Sequence, residues 1–267
     1  MQKIPEEVYS KINNKIYNEQ GERWWQPDFS LNLLRKLLNP FRVSYIKRII
    51  EQTFVRPEGI TVLEVGCGGG ILSEEIAKMG FTVTGIDPAE TSLKAARAHA
   101  IENHLDIRYE NAAGESIPFP DCSFEVVLCC DVLEHVKDLP KVIAEISRVL
   151  KDDGVFIYDT INRTCLSKIS MIKIMQEWKW WSIMPPDLHV WKMFIKPEEI
   201  KSLLLVNDLE WKEHRGIEPN ISYLKMLRYF RKRASGKLTY EEFGEKFKMV
   251  ESRSTSIMYM GYAVKHL

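Results

Sequence analysis

The sequence predicts an α/β fold: a seven-stranded, mostly parallel sheet with helices on both faces, an N-terminal helical cap and a C-terminal helical insertion. Three observations carry this expectation. Between residues 60 and 160, short apolar runs alternate with helical patterns, as a parallel sheet covered on both faces requires. A glycine-rich turn, Gly66-Cys67-Gly68-Gly69-Gly70, joins the first of these runs to a helix. The last run, from Ser256 to Val264, is β-type and can pair antiparallel with a strand near 209–215.

Residues 1–58 form the predicted cap, where Val8, Ile12 and Ile16, and then Leu31, Leu34 and Leu38, recur at helical spacing. The wide loop Glu22-Arg23-Trp24-Trp25-Gln26-Pro27 separates them, and a segment of this kind outside the sheet can close over a pocket. The main domain then covers residues 59–267. Its strands fall near 61–65, 82–86, 107–110, 124–130, 154–159, 209–215 and 256–264, with helices near 71–79, 90–103 and 138–150. Residues 161–195 are aromatic-rich and lack a clear period, which marks a lid segment. A helix follows from Pro197 to about Val206, and an insertion occupies about 218–250. Within it, Tyr223 to Arg233 is a basic amphipathic helix that could dock on an anionic membrane, or lie solvated at the surface.

Composition narrows the function. Lys and Arg number 37 and Asp and Glu number 37, so no global field favours nucleic acid as a partner. The five cysteines are odd in number and form no C-x-x-C pair, which points to reduced thiols and a cytoplasmic location. The first residues are polar without a signal-peptide core, and no run approaches the ~20 apolar residues of a membrane span. A soluble small-molecule enzyme is expected, with its oligomeric state left open.

The stretch Val62-Leu63-Glu64-Val65-Gly66-Cys67-Gly68-Gly69-Gly70 locates the candidate site. Glycines allow a tight turn and close approach of backbone to ligand, and the following helix start offers free N–H groups. Asp87 ends the next apolar run, where a carboxylate fits two ribose hydroxyls. A dinucleotide site would need a third glycine at the position of Ile71 to pack helix against strand. Glu64 beside the turn would also repel a pyrophosphate, whereas it suits a ligand carrying ammonium and sulfonium charges.

This spacing resembles the first two motifs of class I, Rossmann-like S-adenosylmethionine-dependent methyltransferases. Further segments resemble the ubiquinone-biosynthesis O-methyltransferase family: Glu22-Arg23-Trp24-Trp25, Asn39-Pro40-Phe41-Arg42, Leu133-Glu134-His135-Val136, Thr160-Ile161-Asn162-Arg163, and His189 through Glu199. The resemblance implies S-adenosyl-L-methionine as cofactor, contacted by Arg42, Gly66, Asp87 and Cys130, with Glu64, Cys67, Gly68, Pro88 and Ala113 alongside. Arg42 could clamp the methionine carboxylate; read without the resemblance, it is a salt bridge on a helix. Two departures stand out. Ala113 occupies the place where many of these enzymes carry an Asp for the adenine amino group, and about 25 extra residues follow Gly216.

The expected chemistry is in-line methyl transfer, which needs an aligned and deprotonated acceptor. Asp131, Glu134 and His135 follow the fourth strand, and on a helix their spacing would place all three on one face. They could hold a divalent cation such as magnesium against a catechol, or Asp131 and Glu134 could simply form a capping box. Without a metal, His135 is the leading general base, with Glu134 and His189 as further catalytic candidates. Asn162, Arg163 and Trp191 could bind the acceptor, although capping and packing roles also suit them. Trp24, Trp25, Trp180 and Trp181 could wall an apolar pocket. The expected acceptor is an aromatic small molecule, a catechol or hydroxyphenol. Rival readings are a specialised-metabolism methyltransferase acting on another oxygen, nitrogen or carbon, and a non-catalytic cofactor-binding protein.

Overall fold

The computed structural model describes residues 3–56 and 59–266, so the boundary expected at 58/59 lies outside the described residues. Its strands are β1 (Thr61–Val65), β2 (Thr82–Asp87), β3 (Ile107–Asn111), β4 (Phe124–Cys130), β5 (Leu150–Ile161), β6 (Leu209–Pro219), β7 (Met249–Ser252) and β8 (Met258–Lys265). They form one sheet in the order β3-β2-β1-β4-β5-β8-β6-β7. Neighbours from β3 to β5 are parallel, whereas β8 runs antiparallel to both β5 and β6. The predicted pairing of the final run with β6 is therefore present. The sheet has one strand more than the expected seven, because β7 pairs antiparallel with the outer end of β6, from Gly216 to Pro219.

Alternation of side chains along each strand builds the two covered faces. Val62, Val126, Val155 and Ile157 point to one side and pack against Ile46, Ile49 and Ile50 of the helix Asn39–Thr53. Leu63, Val127 and Phe156 point to the other, against Val142, Ile143 and Ile146 of Leu139–Val149 and Ile200 and Leu204 of Pro197–Leu205. Asp138 caps the helix Leu139–Val149 by accepting from the Lys141 N–H at 3.3 Å, and Pro140 in its first turn lacks the N–H that would otherwise be unpaired.

Of the expected cap, the helix Asn39–Thr53 belongs to the core, since its apolar stripe covers the sheet. Only the short helices Glu6–Tyr9, Ile16–Glu19 and Leu33–Leu37 with their connecting turns remain as a cover. In the lid segment, a helical turn at Cys165–Ser167 continues as a π-helix over Lys168–Glu177. The insertion forms the helices Tyr223–Ala234 and Tyr240–Gly244, which meet through Phe230, Phe243 and Phe247 in edge-on contacts. Among the described residues, no helix is long and apolar enough to cross a membrane.

Candidate active site

Strand order reverses between β1 and β4, and ligands of open α/β sheets bind at such a switch point, beyond the carboxyl ends of the strands. A cavity of about 650 Å³ lies there. Part of its wall is polar backbone and carboxylates from the ends of β1, β2 and β4. Another part is apolar, made by Leu34 and Leu38, by Met171 and Met175 of the π-helix, and by Phe230 and Phe243 of the insertion.

The glycine turn follows β1 directly. Its Gly66 and Cys67 N–H groups donate to Ile86 O at 2.7 and 3.0 Å, which ties it to the end of β2. Gly66 has φ +75°, and a Cβ there would stand 2.3 Å from Val132. Gly68 has φ +51°, and a Cβ there would meet the Trp24 ring at 2.6 Å. These two positions require glycine, for the reasons of conformation and approach that the sequence suggested. Trp24 is held over the turn by its Nε1–H donating to Ser92 Oγ at 2.8 Å, and Asn39 donates to Ile71 O at 2.9 Å from below.

Asp87 is buried and accepts from Gly68 N at 2.9 Å and Ala89 N at 2.8 Å, one bond on each oxygen. A carboxylate has about four lone-pair sites, so capacity for two hydroxyl donors remains. Burial raises its pKa to about 6 against the pull of those two N–H groups. Glu64 is buried under the turn with Ser73 Oγ donating to it; burial drives it up to about 8, opposed by Ser73 and Arg42.

Arg42 is buried between two carboxylates. It grips Asp159 in a fork, Nε to Oδ2 at 2.7 Å and Nη2 to Oδ1 at 2.9 Å, and also bonds Asp131. Asp131 adopts φ +54°, and a 3-10 turn at Leu133–His135 follows in place of the expected helix. The one-face arrangement of Asp131, Glu134 and His135 therefore does not form, and neither does the capping box. Arg42 holds Asp131 below the ordinary carboxylate range although burial opposes this.

His189 takes the place expected of Asp131. Ligand atoms of Glu134, His135 and His189 all lie within 4.8 Å of one another, and the two imidazole rings are 5.1 Å apart. Glu134 accepts from Thr160 Oγ1 at 2.8 Å through Oε2, while among the described residues its buried Oε1 has no partner, and neither has His189 Nδ1. The Asn14 side chain donates to His135 O at 3.1 Å and presents Oδ1 to His135 Nδ1 at 3.2 Å. That contact favours hydrogen on Nδ1 and leaves the Nε2 lone pair free. Gln176 of the π-helix accepts from His189 N at 2.7 Å and donates to His189 O at 3.2 Å, fixing the backbone that carries the ring. Burial, then His189, lowers His135 to about 3; burial lowers His189 to about 4 against Asp131. Both are neutral at neutral pH, as ligands or proton acceptors must be. Burial, then the Asp131 charge, raises Glu134 to about 8.

All nine residues expected to hold the cofactor line the cavity, namely Arg42, Glu64, Gly66, Cys67, Gly68, Asp87, Pro88, Ala113 and Cys130. His135 and His189 line it as well, and Glu134 stands just behind them. The acceptor candidates do not. Asn162 donates to Thr255 O at 2.8 Å, Arg163 pairs with Glu199, and Trp191 donates to Thr164 O at 2.8 Å, so all three are spent on fastening the chain after β5. Of the tryptophans in the described residues, Trp24 alone reaches the cavity wall, whose apolar part is otherwise mostly aliphatic side chains, methionines and phenylalanines. Asp159, Thr160, Asn14 and Gln176 were not anticipated. The signal for the first two was available: they are polar residues ending an otherwise apolar parallel strand, where such sheets place their ligands.

The buried carboxyls predict a pH dependence. Glu64 and Glu134 titrate higher in the folded chain than in the unfolded one, so the stability they contribute is complete below about pH 4 and is lost as pH rises through about 8. Unfolded imidazoles are still half protonated at about pH 6.5, so His135 and His189, buried neutral, add a little stability as pH rises to about 7.5 and offset only a small part of the carboxyl loss. The ligand-free protein is expected to melt several degrees lower at about pH 8.5 than at about pH 6.5 by calorimetry. An unchanged melting temperature across that interval would contradict these burial effects.

Fold and site together define a class I S-adenosylmethionine-dependent methyltransferase, and comparison with known proteins agrees. A family model described as a methyltransferase domain matches residues 63–158. The chain belongs to the ubiquinone biosynthesis O-methyltransferase family: it is 38% identical over 191 residues to the member from Caulobacter vibrioides, covering 68% of this chain and 74% of that one. The Haemophilus ducreyi member is 38% identical over 209 residues, covering 76% and 86%. Among solved structures, S-adenosylmethionine-dependent methyltransferases from Methanosarcina mazei (TM-score 0.57, 20% identity, 82% of this chain and 97% of that one) and Aquifex aeolicus (0.53, 13%, 98% and 99%) share the fold.

Proposed function

We propose that this enzyme transfers the S-adenosylmethionine methyl group to a hydroxyl of an aromatic small molecule, a catechol or hydroxyphenol of the kind a ubiquinone-type O-methyltransferase accepts. The observation that carries the reading is the convergence of His135 and His189, with Glu134 beside them, on the same cavity as Asp87 and the glycine turn. On this reading Asp87 takes the ribose hydroxyls, the turn from Gly66 to Gly68 lies along the amino-acid part of the cofactor, and Ala113, Pro88 and Cys130 border the adenine and sulfur. Arg42 meets the methionine carboxylate by exchanging Asp131 for it, since both its edges are already in use. The buried acids Asp87 and Asp159 suit a ligand with ammonium and sulfonium charges, and such a ligand would favour ionisation of Glu64 as well.

The unpartnered Glu134 Oε1 and His189 Nδ1, with the free lone pair of His135, fit a divalent cation. One oxygen and two imidazole nitrogens suit zinc, cobalt or iron better than magnesium, which prefers oxygen. When bound, such an ion would lower the pKa of an acceptor hydroxyl. The protein's own part is orientation: Thr160 aims Glu134, Asn14 sets the His135 tautomer and Gln176 holds His189. The aliphatic wall from Met171, Met175 and Phe230 excludes water and favours an acceptor with an apolar substituent.

Incubation with methyl-labelled S-adenosylmethionine and a panel of catechols tests the proposal. Label is expected on a phenolic oxygen, faster for alkyl-bearing catechols than for catechol itself. Transfer to amine or carbon acceptors with none to phenols would instead establish a different methyltransferase, and no transfer to any acceptor would favour a binding protein.

A further inference from the structure

We infer that the insertion makes the far end of the cavity a blind apolar chamber, which takes one short alkyl tail of the acceptor and excludes a long isoprenoid one. The inference rests on the methyl-transfer reading for the aromatic ring that carries the tail. The two ends of the cavity differ in chemistry. Arg42, Glu64, Asp87 and Asp131 gather where β1, β2 and β4 end. None of the lining residues supplied by the helix Leu33–Leu37, the π-helix, the insertion helices or β7 carries a charge. A nucleoside with an amino-acid tail has no use for such a surface, and water finds few partners there. Hydrocarbon does, because removing each methylene from water is favourable.

The end is shut by aromatic rings. Phe230 and Phe243 stand 5.2 Å apart between ring centres and Phe243 and Phe247 4.8 Å, the spacing of rings in contact. All three are buried, as are Leu33 and Ile183 beside them, so the wall is shielded from water on its outer side. These five side chains form a small core of their own, separate from the two that cover the sheet faces. The wall is also fastened. Glu241 of the helix Tyr240–Gly244 pairs with Arg35 at 2.5 Å and with Lys36 at 3.5 Å, and its N–H donates to Pro27 O at 3.0 Å. Arg233, near the end of the neighbouring helix, pairs with Asp28 at 3.0 Å. Both insertion helices are thus tied to the N-terminal cover, which gives the chamber between them a fixed depth.

Size then sets the tail. The whole cavity measures about 650 Å³, inside the range of about 300–1,000 Å³ that encloses one drug-sized ligand. Once the donor and the acceptor ring are in place, the remainder suits a tail of about four to eight carbons. A chain of several isoprene units would have to displace the phenylalanine wall.

Methylation rates for catechols bearing methyl, butyl, hexyl, octyl and farnesyl chains test the inference. kcat/KM is expected to rise by up to about fourfold per methylene as far as hexyl, and to fall at least about tenfold for farnesyl. Phe230→Ala should raise the octyl-to-butyl ratio of kcat/KM about tenfold, and Met175→Phe should lower it by a similar factor. A ratio between two substrates of one preparation does not change when part of the protein is unfolded, so a merely structural role for either residue would leave it alone. Calorimetric binding of the matching alkylphenols, with S-adenosylhomocysteine present, separates this inference from the reading it rests on. No methyl transfer, together with alkylphenol affinity that peaks near hexyl, would end the methyl-transfer reading and keep the chamber. Transfer that stays level or keeps rising through farnesyl would overturn the chamber and keep the reading, as would octyl-to-butyl ratios unchanged in both variants. Absence of both transfer and length-dependent binding would overturn both.

Discussion

Replacing Asp87 by alanine is expected to weaken S-adenosylhomocysteine binding about a hundredfold while the chain stays folded. Two losses add. The ribose hydroxyls lose an ionised acceptor, and hydrogen bonds to charged groups contribute about 1.5 to 3 kcal/mol. The Gly68 and Ala89 N–H groups lose the carboxylate that holds the glycine turn in its ligand-ready shape. At 1.4 kcal/mol per factor of ten, about 2.7 kcal/mol corresponds to the stated change. Asp87→Asn keeps the size and one acceptor oxygen but turns its amide N–H2 toward one of the two backbone N–H donors, and should cost between about tenfold and the loss in the alanine variant. Calorimetric titration measures both, and a change below about threefold in the alanine variant would mean that no ribose sits at the end of β2.

The second large effect should fall on turnover and spare the cofactor. Glu134→Gln combined with His189→Ala is expected to lower kcat about 10²- to 10⁴-fold, the range supplied by a positioned acid-base or metal-holding group. Its S-adenosylhomocysteine affinity should stay within about twofold of wild type, because neither residue touches the glycine turn or Asp87. Cobalt(II) gives a readout that does not pass through activity. Wild-type protein should develop a saturable visible absorption band with cobalt, and the variant should not. Wild-type turnover in the double variant would remove the acceptor chemistry from this cluster.

What could be read from the sequence was whatever the chain specifies over short distances. The glycine turn, Glu64 and Asp87 lie within 24 residues, and the turn's demands on backbone conformation are local, so their positions relative to one another follow from strand, turn and strand alone. The parallel strands β1, β2, β4 and β5 were legible for the same reason, since each carries apolar residues between turn residues, while β3, Ile107-Arg108-Tyr109-Glu110-Asn111 at the sheet edge, was legible only by its place in the alternation. Pairing β6 with β8 was legible because both are β-type runs that flank an obvious insertion.

The cluster of Glu134, His135 and His189 was only half legible. Glu134 and His135 are adjacent, but His189 reaches them from a loop 54 positions away, held there by Gln176, and no periodicity announces such a contact. Asp131 was misplaced because i, i+3, i+4 spacing implies a shared face only on a helix. Its left-handed backbone and its bond to Arg42 send it elsewhere. Asn162, Arg163 and Trp191 follow β5 immediately, which made them plausible at the strand ends. Their side chains instead bond Thr255, Glu199 and Thr164, because the chain must be fastened before it turns into the lid. The insertion's contribution to the cavity wall is a matter of three phenylalanines meeting in space, and spacing in sequence could not show it.

Titration of the wild-type protein with S-adenosylhomocysteine, with NADH as comparison, bears most directly on whether this cavity is built for a sulfonium donor's nucleoside and amino-acid tail. Saturable one-to-one binding in the micromolar range, a raised melting temperature and no response to NADH are expected. Folded protein that shows no heat and no thermal shift with millimolar S-adenosylhomocysteine or S-adenosylmethionine would contradict the account.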